Sequence, residues 1–130
     1  MGNELTLRSD SLAELSSSVG LGELIKPLVK EIFLFDTYIA GTTHLNDKTV
    51  LDEINVGEKL VLQREDNKFD SKAILILKED KRKLGYVPEK DNAVFSRLMD
   101  AGKLLTAKID QIEIMGTFHK INVQIFLVDF

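Results

Sequence analysis

The sequence predicts a small, mostly-β domain of about six strands with two or three helices, curled into one sheet or barrel. Three observations carry that expectation. From Ile32 onward, short runs rich in β-branched and aromatic residues recur between glycine and polar turns, which is the pattern of strands. One stretch after Pro88 departs from it and shows helical spacing. The 130 residues suffice for one ordinary domain but not for two.

The first thirty residues differ in texture from the rest. Leu12, Leu15 and Val19, then Leu21, Leu24, Ile25 and Leu28, fall at helical spacings. Ser11 and Glu14 have the spacing of a capping box. Gly20 and Gly22 interrupt the pattern, and Pro27 restricts any helix that follows. Residues 1–30 therefore read either as an amphipathic arm docked on the domain or a partner, or as an extension without fixed structure. Residues 31–130 form the domain proper.

Within the domain, Ile32–Ala40 reads as the first strand, ending at Gly41. Asn46 or Asp47 then caps a helical turn carrying Val50, Leu51 and Ile54, closed by Gly57. Three strands follow: Lys59–Arg64, Ala73–Lys78 and Lys83–Val87. A polar loop, Glu65–Ser71, and a charged turn, Glu79–Arg82, join them. Pro88 opens a helix whose Glu89 and Asp91 complement its dipole. Ala93, Val94, Leu98 and Met99 give that helix an apolar face, and Gly102 ends it. Leu104–Ile114 and Phe118–Phe130 are the last strands, and the alternation of Ile121, Val123, Ile125 and Leu127 marks one half-buried face.

Composition narrows the function. The net charge of −4 and pI near 5.2 have the wrong sign for gripping long duplex through its phosphates. They are compatible with holding one strand end, where a few local cations suffice. Without cysteine there are no disulfides, no thiolate zinc site and no cysteine nucleophile. His44 and His119 are far apart and show no metal-ligand spacing, so neither metal nor cofactor is expected. No glycine-rich phosphate loop with its lysine and no nucleophile-elbow serine is present, and the expectation is a protein that is not an enzyme. The apolar runs are far shorter than the roughly 20 residues that span a bilayer. No membrane association and a cytoplasmic location are the default expectations.

Three segments carry more specific information: Ile39-Ala-Gly-Thr-Thr43, the run Val61–Ile74 containing Arg64-Glu65 and Phe69-Asp70, and Leu84-Gly-Tyr-Val-Pro-Glu-Lys-Asp-Asn-Ala93. In this order they resemble the HIRAN domain family over about a hundred residues. The resemblance implies a small OB-like or SH3-like curled β-barrel of about six strands. It also implies a non-catalytic nucleic-acid-binding module that recognises single-stranded or damaged DNA at the 3′ end. Members of this family serve replication-fork remodelling helicases or occur alone in bacteria. Single-stranded DNA or its 3′ ends, and a helicase or nuclease partner, are the partners so implied.

By position in the family pattern, Thr43, His44, Arg64, Phe69, Asp70 and Tyr86 form the implied pocket, with Lys81, Arg82 and Lys83 as electrostatic support. Phe69-Asp70 stands where the family has Tyr-Asp, so a ring and a carboxylate remain while the phenol is lost. Thr43, His44 and Leu45 replace a basic or polar residue and one or two aromatics. Each residue also has a structural alternative. Arg64 can anchor the loop through a carboxylate such as Asp70, Asp70 can accept from its own loop's amides, and Phe69 can fill the core. His44 can be an ordinary surface histidine, and the Lys78–Lys83 charges a solvated hairpin tip. The rival function is a protein-interaction module that keeps the fold and has lost end capture.

Overall fold

A computed structural model describes residues 29–129, so the expectation for the N-terminal arm lies outside the described residues except at its last two positions. Six strands form one antiparallel sheet: β1 (Lys30–Tyr38), β2 (Lys59–Glu65), β3 (Ala73–Lys78), β4 (Lys83–Tyr86), β5 (Leu104–Met115) and β6 (Phe118–Asp129). Their spatial order is β1-β6-β5-β2-β3-β4. Each lies within about two residues of the segment expected from the residue pattern. A single α-helix, α1 (Asn92–Asp100), and two 3-10 turns, Thr42–His44 and Lys48–Glu53, complete the described chain. No helix among the described residues is long and apolar enough to cross a membrane.

The core follows from alternation. Val123 and Ile125 on β6 pair with Ile109 and Ala107 on β5, and these four are buried together with Ile121 and Leu105 of the same two strands. β3 is different. Ala73, Ile74, Leu75, Ile76 and Leu77 are buried in succession, which requires cover on both faces, and α1 packs against β2, β3 and β5. Asp47 caps the second 3-10 turn by accepting a hydrogen bond from the Thr49 amide, and that turn buries Val50 and Leu51.

Two expectations are corrected. The sheet does not close into a barrel: β1 and β4 are its edges. Among the described residues they are joined only by an isolated bridge in which Ala40 and Tyr86 exchange backbone hydrogen bonds of 2.8 and 2.9 Å. The ladder cannot lengthen there because β4 has only four residues and soon meets Pro88, which has no N–H to donate. The second correction concerns α1. Its inward face is Asn92, Phe95 and Ser96, with Leu98 and Met99 partly buried, whereas Val94 is 64% exposed and Ala93 is also outside. Positions 92, 95, 96 and 99 keep helical spacing. Two of them are polar, which hid the stripe; both have internal partners, Ser96 donating to the Ala93 carbonyl and Asn92 to Asp70.

Gly85 explains how the two edges meet. A Cβ at this position would lie 2.3 Å from the Ala40 carbonyl oxygen and 2.6 Å from Ile39 Cγ2. Only glycine lets the two backbones approach closely enough to make the bridge.

Candidate nucleic-acid interface

The bridge is also one wall of an open cavity of about 280 Å³. Ala40 and Gly41 contribute backbone, Ala73 and Val87 contribute apolar surface, and Phe69 and Tyr86 contribute rings. Asn67, Asp70 and Glu89 supply its polar groups. Phe69 is 85% exposed, so it is not a core residue and its ring is open to a ligand. Lys68 Nζ lies 5.1 Å from the centre of that ring.

The loop carrying Phe69 is built by hydrogen bonds from both ends. Asn67 Oδ1 accepts from the backbone amides of Phe69 and Asp70, at 2.9 and 2.8 Å. Asp70 accepts from the Lys72 amide on Oδ1 and from Asn92 Nδ2 on Oδ2, both at 2.9 Å. An ionised carboxylate has about four acceptor sites, so Asp70 keeps capacity for another donor. Its loop-forming role and a ligand role are therefore compatible.

Arg64 lies behind the loop and does not line the cavity. Its Nε donates to Asp100 Oδ1 at 2.8 Å, and its other nitrogens donate to the carbonyls of Ala73 and Ser71 at 2.7 and 2.9 Å. The anchoring carboxylate is thus Asp100 of α1 and not Asp70. The guanidinium holds the Asp100 carboxyl below the usual carboxylate range.

Glu65, the next residue of β2, supports the opposite side. Its Oε2 accepts from the Tyr86 hydroxyl at 2.8 Å and from Asn67 Nδ2 at 2.6 Å. These two bonds, the Tyr86 one first, hold its carboxyl below the usual range. Lys83 Nζ donates to the Tyr86 hydroxyl at 3.2 Å and lies 4.5 Å from its ring centre. Tyr86 is therefore engaged at its hydroxyl and capped on its ring, which leaves Phe69 as the more available stacking surface.

A second cavity of about 220 Å³ is lined by His44, Leu45, Asn46, Asp47, Val50, Arg82 and Lys83. Lys83 connects it to Tyr86. Arg82 is held in a bidentate pair with Glu53, at 2.9 and 3.0 Å, and also bonds Asp80, so a phosphate would have to compete with two carboxylates. Thr43 is exposed and lines neither cavity; Lys81 sits at the hairpin tip and also lines neither. The predicted residues accordingly divide: Phe69, Asp70 and Tyr86 share one cavity, His44, Arg82 and Lys83 share the next, and Arg64 buttresses the loop. Asn67, Asn92 and Glu65 were given no role from the sequence. No group of three or more His, Asp or Glu able to hold a metal occurs among the described residues.

The sequence profile of one family, the HIRAN domain, matches residues 32–122. The chain belongs to the HIRAN family. The HIRAN match begins inside β1 and ends inside β6, and so takes in both cavities. Two solved structures share the fold. A crystal structure of a protein from Lactobacillus plantarum superposes with a TM-score of 0.73 at 23% identity, covering 78% of this chain and 99% of that one. The crystal structure of the HIRAN domain of human HLTF superposes with a TM-score of 0.60 at 13% identity, covering 75% of this chain and 78% of that one. At such identities the likeness concerns the fold. No match to a curated protein is found.

Proposed function

We propose that this HIRAN domain is a non-catalytic nucleic-acid-binding module that receives the 3′ end of a single strand in the Phe69–Asp70 cavity. It would act in the processing of DNA ends or replication forks beside a helicase or nuclease partner. One observation carries the reading: an almost fully exposed aromatic ring stands next to a carboxylate with spare acceptor capacity, in an open cavity lined by no cation. Ring faces stack bases regardless of sequence, at about 1–3 kcal/mol each. An internal nucleotide would bring a phosphate against Asp70 and Glu89. A terminal one presents a hydroxyl, which donates to a carboxylate. The electrostatics thus favour a strand end over a continuous strand, with Lys68 and Lys83 just outside to meet the preceding phosphates.

The rival is a protein-interaction module on the same frame. It is favoured by the acidity of the chain and by Glu89, which adds a second carboxylate to a cavity that no cation lines. Fluorescence anisotropy with matched oligonucleotides separates the two. A free 3′-hydroxyl should bind more tightly than a blocked one, and Asp70→Ala should weaken the free end about tenfold, the loss expected for one hydrogen bond to a charged group. Phe69→Ala should weaken both. Equal, negligible binding to both ends would overturn end capture and leave the interaction module.

A further inference from the structure

The cavity has two halves that come from distant parts of the chain. Phe69 and Asp70 lie on the β2–β3 loop, and Tyr86 lies at the end of β4. One side chain touches both halves. The Glu65 carboxylate accepts from Tyr86 on one side and from Asn67 on the other, through the same oxygen. The Asn67 amide is thereby turned so that its Oδ1 receives the amides of Phe69 and Asp70. A chain of hydrogen bonds runs from Lys83 through Tyr86, Glu65 and Asn67 to the two residues that meet the ligand.

We infer that Glu65 is the positioning residue of the cavity: it does not touch the ligand, but sets the distance between Tyr86 and the Phe69–Asp70 loop. The inference rests on the reading of that cavity as the end-binding site. The physical reason is the number of acceptor sites. Asn67 has one carbonyl oxygen, which the two loop amides occupy, so its NH₂ needs an outside acceptor to fix the plane of the amide. A carboxylate at the end of β2 offers that acceptor and takes the Tyr86 proton as well. Because both donors meet a single oxygen, the loop and the strand end cannot move apart without breaking one of two charge-assisted bonds. Arg64, the preceding residue, fixes the other end of the loop through Ser71 and Ala73. Two successive residues of β2 therefore hold both ends of the ligand loop. Glu65 differs from Arg64 in also reaching across to β4.

The test compares Glu65→Ala with Glu65→Gln, whose amide oxygen still accepts. Two measurements are made on the whole chain: amide exchange by NMR, and the binding ratio for oligonucleotides with free and blocked 3′-hydroxyls. In Glu65→Ala the amides of Phe69 and Asp70 should exchange at least about tenfold faster, while the β2–β3 ladder amides keep their protection. The preference for the free end should fall about tenfold, and Glu65→Gln should recover most of both effects. A simple loss of stability would move the ladder amides together with the loop amides and would not be rescued selectively. Unchanged loop exchange in Glu65→Ala overturns the inference, as does unchanged end preference in a protein whose wild type discriminates. If the wild type does not discriminate ends, the proposed function fails. Loop exchange then still decides whether Glu65 organises the cavity.

Discussion

Gly85 shows how much one missing side chain decides. The bridge between Ala40 and Tyr86 is possible only because nothing projects from Gly85 toward the Ala40 carbonyl. Gly85→Ala should lower the stability measured by urea denaturation by about 1–3 kcal/mol, the usual cost of forcing extra atoms into a packed site. It should also disturb the cavity wall. The sequence displayed this glycine inside Leu84-Gly-Tyr-Val-Pro, and its place in that motif now has a steric cause. The partners of Asp70 and Arg64 were harder to read. Asn92 and Asp100 lie 22 and 36 positions from the residues they bind. Only the packing of α1 beside the loop brings them there, and nothing in local spacing distinguishes Asp100 from the nearer Asp70 as the Arg64 acceptor. Phe69, Asp70 and Tyr86 were legible because they sit in contiguous motifs. Asn67 and Glu65 sat in the same motifs, but their function is to hold other residues, and that is visible only as geometry.

At the scale of the element, the strands were the most readable part. Val123 and its neighbours alternate cleanly, and the unbroken apolar run of β3 is what a strand covered on both faces requires. The face of α1 was misread because a buried asparagine and serine look polar until their hydrogen bonds are known. Its end was readable: Gly102, with φ of 92°, follows the helix, and the amides of Gly102 and Lys103 return to the carbonyls of Met99 and Leu98. The β3–β4 turn carries a testable strain. Lys81 has φ of 79°, the left-handed region that disfavours any side chain with a Cβ. Lys81→Gly should raise the stability measured by urea denaturation, by up to about 1 kcal/mol after the entropy of the added glycine is counted. The same variant reports on the hairpin lysine: if Lys81 contacts phosphate, the salt dependence of oligonucleotide binding should become shallower by about one unit of slope.

For the molecule as a whole, the carboxylates set the response to acid. Glu65 and Asp100 are both held below their ordinary values of 4.5 and 3.8 by hydrogen bonds that exist only in the folded chain. A depressed folded value means that their stabilisation is complete above the ordinary value and is lost as pH falls through the folded one. The urea midpoint should therefore stay level from neutrality down to about pH 4.5 and then fall. Glu65→Gln should flatten the first part of that fall.

The open sheet has a consequence of its own. Where β1 and β4 meet, two backbone hydrogen bonds do what a full ladder does everywhere else in the sheet. The cavity takes Ala40 from one lip of this seam and Tyr86 from the other. Anything lodged there touches both lips, so it acts as a stitch across a join made by two backbone hydrogen bonds. Occupancy should therefore slow exchange at the Ala40 and Tyr86 amides more than at those of β5 and β6, and heat resistance should rise with ligand concentration. A seam held by two bonds where a ladder could stand makes the domain's stability sensitive to its ligand.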